Sequence, residues 1–218
     1  MKDAQYIANK ILARIRCNPR ASPASPSDFF DLGSRSAVDQ ALSRLVRRGK
    51  LYRVSRGLYA LPRVSRLTGG LAVSSPDGVA RSIARKLGLR ILPSRPHASN
   101  LLGLSTQVPA KLIYLTDGRS RIVRAGPFTL QFRHASPRTM AVSGRIAPIV
   151  FQALRDLRRN GVSKSHVARL CRLLRQKDKQ DLLKNLPYAP GWMKPILLQV
   201  AGQSAKADHG SDCQSHTE

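Results

Sequence analysis

The order of apolar patterns across residues 1–62 constrains this chain more than any single segment does. Residues 3–16 place Ile7, Ile11, Leu12 and Ile15 at helical spacing, with Lys10, Arg14 and Arg16 on other faces. Residues 18–26 read Asn-Pro-Arg-Ala-Ser-Pro-Ala-Ser-Pro, a run of breakers that makes a loop. Ser27 opens a short second helix over 27–32, with Phe29, Phe30 and Leu32, and Gly33 ends it. A third helix starts at Ser34 or Ser36, where Ser36 and Asp39 three residues on form a capping box. Its stripe is Val38, Leu42, Leu45 and Val46, and Gly49 closes it. Two β-prone runs follow, 51–54 and 58–61, joined by Ser55-Arg56-Gly57 and ended by Pro62.

Helix, helix, glycine turn, helix and hairpin in that order predict a winged helix-turn-helix DNA-binding domain over residues 1–62. A polar joint at 63–70 leads to a second domain over 71–202. There a helix at 75–87 carries Val79, Ile83 and Leu87, and strands at 111–115, 121–124 and 128–134 are separated by Asp117-Gly118 and Gly126-Pro127, the pattern of an antiparallel meander. Helices are expected at 146–159 and 163–175, with shorter ones at 182–186 and 195–200. Residues 203–218, rich in Ser, Asp, His and Gly, read as a disordered tail. The expected fold class is α+β: a winged helix followed by a helix-rich domain with a small antiparallel sheet.

Charge narrows the function. Among 218 residues, 38 are Lys or Arg and 12 are Asp or Glu, a net charge of +26, and Glu218 is the sole glutamate. Such a chain repels itself unless an anionic partner neutralises it, and nucleic acid is the simplest such partner. No acid occurs between Asp39 and Asp77, whereas Arg44, Arg47, Arg48, Lys50, Arg53, Arg56, Arg63 and Arg66 all fall there. A face built only for solubility would mix signs.

With Val38, Leu42 and Leu45 turned inward, the third helix presents Ser34, Arg35, Ser36, Gln40, Ser43, Arg44 and Arg47 outward. Arg pairs with guanine O6 and N7, and Gln with adenine N6 and N7, so Arg35, Gln40 and Arg44 are the candidates for base readout. Ser34 and Ser36 suit phosphate at the positive end of the helix dipole. Lys50, and Arg53, Ser55, Arg56 and Gly57 at the hairpin tip, suit backbone or minor-groove contact. The plain alternative is a solvated helix face. In the second domain, Arg158, Arg159, Lys164, Arg169 and Arg172 form a further candidate phosphate-binding face, with solvated surface an equal alternative. Tyr59 is expected to pack rather than stack on bases, and Asp117 to hold its own turn or a neighbouring Arg.

Signals for catalysis are poor. The chain has no G-x-x-x-x-G-K-[ST], G-x-S-x-G or H-E-x-x-H motif and no carboxylate cluster for a nuclease metal, and His97, His134 and His166 stand isolated in the sequence. Cys17, Cys171 and Cys213 are widely spaced and give neither a disulfide framework nor a zinc site. No catalytic residue, cofactor or metal is therefore expected. Met1-Lys2-Asp3 runs directly into an amphipathic pattern and no window approaches a membrane span, so a cytoplasmic protein with no membrane partner is the expectation.

Ala41-Leu42-Ser43-Arg44-Leu45-Val46, Gly49-Lys50-Leu51 and Arg53-Val54-Ser55-Arg56-Gly57-Leu58-Tyr59 resemble the winged-helix start of AbiEi-type antitoxins of bacterial type IV toxin-antitoxin systems. Asn100-Leu101-Leu102-Gly103-Leu104-Ser105-Thr106-Gln107-Val108-Pro109-Ala110 and Tyr114-Leu115-Thr116-Asp117-Gly118-Arg119-Ser120 look like a characteristic segment of one branch of that family. The resemblance implies a repressor that binds inverted repeats in its own promoter as duplex DNA, with self-association on DNA. It also implies that the protein counters a cognate nucleotidyltransferase-like toxin, directly or indirectly. DNA contacts would carry over to Arg35, Gln40, Arg44, Arg53 and Arg56. The extreme charge of the second domain and the polar tail depart from the family pattern. The competing readings are an architectural or RNA-binding basic protein without sequence discrimination, a nuclease, and a protein-interaction module.

Overall fold

The computed structural model describes residues 2–17, 22–64, 71–72 and 75–203. Residues 204–218 of the expected tail over 203–218 and residues 65–70 of the expected joint lie outside them. Helix α1 (Lys2–Arg16) buries Ile7, Ile11, Leu12 and Ile15, the stripe its spacing demands. The second helix is a 3-10 turn, Pro26–Leu32, rather than an α-helix. Its start is fixed by the Ser25 N–H donating to the Asp28 carboxylate (2.8 Å), and Phe29 is buried beneath it. Arg14 ties α1 to this turn through two 2.7 Å bonds to Asp31.

Helix α2 (Arg35–Arg47) buries Val38, Ala41, Leu42 and Leu45 against α1 and the 3-10 turn. The expected capping box at Ser36 and Asp39 does not form. Ser34 is the N-cap, its Oγ accepting from the Ala37 N–H at 3.3 Å, and Asp39 instead reaches back to Arg35, 3.8 Å away. Strands β1 (Tyr52–Ser55) and β2 (Leu58–Ala60) form an antiparallel hairpin with a bulge between Arg53 and Ser55. Ala24, in the loop before the 3-10 turn, adds a third rung by exchanging two 2.8 Å backbone bonds with Tyr59. Two-residue strands β3 (Arg63–Val64) and β4 (Leu71–Ala72) pair across the expected joint.

Helix α3 (Pro76–Lys86) starts at an N-capping Ser75. Strand β5 (Ile91–Pro93) and helix α4 (Arg95–Leu101) follow, then β6 (Leu112–Thr116), β7 (Arg121–Ala125) and β8 (Phe128–His134). The sheet is not the expected meander. Its order is β5-β6-β8-β7, with β6 and β8 parallel and the other pairs antiparallel, so the sheet is mixed rather than antiparallel. Side chains explain the order: β8 carries Leu130 and Phe132, both buried, and takes a central place. Strand β7 leaves Ile122 67% exposed and Arg124 exposed, as suits a charged edge. Asp117, expected to hold its own turn or a neighbouring Arg, accepts from the backbone N–H of Arg90 (3.0 Å) and fixes the turn after β6 to the segment before β5.

A short helix α5 (Pro137–Met140) precedes a bundle of α6 (Ala147–Gly161), α7 (Lys164–Leu173), α8 (Gln176–Lys184) and α9 (Lys194–Ala201), with 3-10 turns at Leu186–Tyr188 and Gly191–Met193. Helix α8 lies earlier than the expected 182–186, because Asp178 accepts from the Arg175 N–H and starts the helix there. Helix α6 is interrupted at Arg158, whose φ of 58° makes it the one non-glycine with positive φ among the described residues. Phe151, Leu154, Leu170, Leu182 and Met193 are fully buried in the bundle core, and α4 packs along α6.

One apolar cluster crosses residues 63–70, where the sequence suggests a domain boundary. Val54, Leu58 and Ala60 of the hairpin pack with Val79, Ala80 and Ile83 of α3 and with Tyr114, Leu130 and Phe132 of the sheet. Polar bonds reinforce it: the Ser82 hydroxyl donates to Pro23 O (2.6 Å), and the Gly126 N–H donates to Val54 O (2.8 Å). Arg85 also bonds Asp28 at 2.9 Å.

Candidate nucleic-acid interface

Helix α2 has two opposite faces. Its inward stripe is buried, and Ser36, Gln40, Ser43, Arg44 and Arg47 lie on the exposed side, brought together by the helical repeat. Arg35 is 83% exposed on the flank, with Asp39 as a neighbour that any anionic ligand must compete against. Ser34 is exposed but its Oγ is engaged as the cap and bonds Ser36 Oγ at 3.0 Å, which limits both hydroxyls as free phosphate donors. Among the described residues, Arg44, Arg47, Lys50, Arg53 and Arg56 make no ion pair, while Asp28, Asp31, Asp39 and Asp178 each pair with an arginine. The few acids are used inside the fold, and the helix and hairpin keep their charge for something else.

The hairpin is held from behind. Gly57 takes φ of 72°, a conformation that favours glycine, and the Lys86 ammonium donates to the adjacent Arg56 carbonyl at 2.7 Å. With Gly126 bonded to Val54, both ends of the turn are fixed to the second half of the molecule. Arg53 and Arg56 remain exposed, Ser55 half-buried. Lys86 and Gly126 are supports that no local pattern in the sequence revealed.

The five second-domain candidates do not form one equivalent set. Arg158, Arg159, Lys164 and Arg172 are exposed, Arg158 at the break in α6 and Lys164 in the first turn of α7. Arg169 has a task inside the fold, its Nε donating to Leu102 O at 2.9 Å across to the end of α4.

The histidines that stand isolated in the sequence all have partners. His166 completes a capping box with Ser163, and His134 Nδ1 lies 3.1 Å from Gly118 O. His97 is buried with its Nε2 3.5 Å from Asp77 Oδ1, which also accepts a 2.7 Å bond from the Tyr114 hydroxyl. Burial pushes the Asp77 carboxyl up, but His97, Tyr114 and the nearby Arg81 outweigh it and hold the carboxyl below its usual range. For Tyr114, burial and then the bond to Asp77 act together and push the phenol far above its usual value. The cluster ties α3 to α4 and β6. The folded state keeps the Tyr114 proton while an unfolded chain releases it near pH 10, so this stabilisation is complete below that pH and is lost as pH rises further. Tyr114→Phe is expected to cost about 1–2 kcal/mol at pH 7 and to flatten the alkaline fall. Urea unfolding from pH 7 to 11 checks it, and an alkaline limb equal to wild type would sink the assignment.

No group of three or more His, Cys, Asp or Glu among the described residues is placed to hold a metal ion, and no described helix is long and apolar enough to cross a membrane. The family model for the family of unknown function DUF6088 matches residues 10–182, from α1 through the hairpin and mixed sheet into α8. The chain belongs to DUF6088. No curated protein and no solved structure matches it. The DUF6088 match covers the residues of α2, the hairpin and the sheet that backs it.

Proposed function

We propose that this DUF6088 protein is a sequence-specific duplex-DNA-binding repressor built on a winged helix-turn-helix. Helix α2 is its recognition helix and the β1–β2 hairpin its wing. The carrying observation is the exposed side of α2: Gln40, Ser43, Arg44 and Arg47 stand together there, none paired with an acid among the described residues, opposite the buried Val38, Ala41, Leu42 and Leu45. Side chains of these types read base edges in the major groove. Arg53 and Arg56 on a hairpin held from behind supply backbone contacts, and the basic bundle adds affinity that falls with salt.

The resemblance to AbiEi-type antitoxins extends the proposal to a promoter target and an antitoxin role. The protein binds inverted repeats upstream of its own gene and counters a nucleotidyltransferase-like toxin made beside it. The test is binding to that upstream duplex against a scrambled duplex across a salt series. A preference of about a hundredfold or more is expected. Equal binding with a steep salt slope would replace the repressor by an architectural or RNA-binding protein, and co-expression with the neighbouring gene product tests the antitoxin role separately.

A further inference from the structure

A second basic site lies away from α2 and the hairpin, in a cavity of about 570 Å³ bounded by the start of α4, strands β6 and β8, and α6. That volume falls within the usual range for small-ligand sites, about 300–1,000 Å³. Arg95, Lys111, Arg133, His134 and Arg155 line it, and no Asp or Glu does. Arg95, Lys111, Arg133 and Arg155 make no ion pair among the described residues. Arg155 is half-buried on α6, and burial followed by the like charges of Arg95 and Arg138 lowers its pKa. For Arg155 the repulsion and the lost hydration cost folding energy, and a bound anion offsets both. Guanidinium forks match phosphate oxygens in particular.

The rest of the lining is not that of a plain phosphate site. Pro96, Pro109, Ile113 and Leu115 supply apolar wall. Gln152 lines the cavity with only 1% of the residue exposed. A glutamine amide offers one group that donates and one that accepts, the pairing that the edge of a nucleobase can match.

We propose that this cavity binds a mononucleotide, its phosphates on Arg95, Arg133 and Arg155 and its base between the Ile113–Leu115 wall and the Gln152 amide. The site is built from elements other than α2 and the hairpin, and stands whether or not α2 reads DNA. It gives the chain a small-molecule input separate from its charged outer surface.

The test is calorimetric titration of the full chain with ATP, GTP, CTP, UTP and pyrophosphate at 0.3 M salt, a concentration that screens loose attraction to a basic protein. At least one nucleotide is expected to bind at one per chain, at least tenfold tighter than pyrophosphate, and to raise the melting temperature. Arg155→Gln is expected to melt no lower than wild type without ligand, since it removes a repelled charge, yet to weaken the nucleotide at least tenfold. Arg95→Ser, at the exposed edge, repeats the loss in a fold that this change does not burden, and Arg44→Ala on α2 binds the nucleotide as wild type does. Three outcomes overturn the proposal: no saturable nucleotide binding, pyrophosphate binding as tightly as every nucleotide, or a short duplex that displaces the nucleotide and loses equally from Arg155→Gln. The last would make the cavity a strip of the duplex-binding surface.

Discussion

Phe132→Ala is expected to lower the stability of the whole chain by about 3–5 kcal/mol, with the hairpin and the sheet weakening together. Phe132 is 2% exposed on central strand β8 and stacks on Tyr114 with ring centres 5.9 Å apart. Its cluster also contains Val54, Leu58 and Ala60 of the hairpin and Val79 and Ile83 of α3. Removing the ring leaves a cavity lined by both halves of the molecule, and close-packed surroundings fill it only in part. Urea unfolding followed by circular dichroism and by Trp192 fluorescence, the latter reporting on the helical bundle, measures the effect. Both midpoints are expected to fall together. A Trp192 transition at the wild-type midpoint, with only the circular dichroism signal displaced, would mean that the helical bundle unfolds independently of the hairpin and sheet.

What could be read from the sequence, and what could not, follows the range of the interactions. Helix stripes and their caps are local: Ile7, Ile11 and Ile15 announce α1, and Ser75 and Ser163 stand just before the first turns they cap. Even so, Ser34 rather than Ser36 caps α2, because either serine satisfies the local pattern and only the chain's entry from Gly33 selects one. Sheet order is non-local. The turns after β6 and β7 look alike in sequence, and what puts β8 beside β6 is the burial of Leu130 and Phe132 against α3 and the hairpin. Helix α4 was hidden by Pro96, which reads as a breaker but sits in the first turn, where proline is tolerated. The basic face of α2 was legible because one helix carries all of it. The Arg95, Lys111, Arg133 and Arg155 cavity was not, since its cations come from three separate elements and the loop before β6, and Asp77, His97 and Tyr114 meet only through the packing of α3 on the sheet.

The largest functional effect is expected from Arg44. It lies on the exposed side of α2, unpaired, with Ala41 and Leu45 beside it in the buried stripe holding its backbone in place. A guanidinium that makes a bidentate contact to guanine contributes about 1–3 kcal/mol of discrimination, so Arg44→Ala should lose roughly 5- to 150-fold of the preference for the upstream duplex while non-specific binding falls much less. Stability should change little, because the side chain is exposed and leaves no cavity or unpaired partner. Arg53→Ala and Arg56→Ala should behave differently: as backbone contacts from the hairpin they weaken upstream and scrambled duplex alike, and each lowers the steepness of the salt dependence by about one unit. The contrast separates readout from charge within one set of titrations. If Arg44→Ala weakens both duplexes equally and lowers the salt slope as the hairpin variants do, α2 touches phosphate and does not read sequence. The proposal that α2 is a recognition helix would then fall.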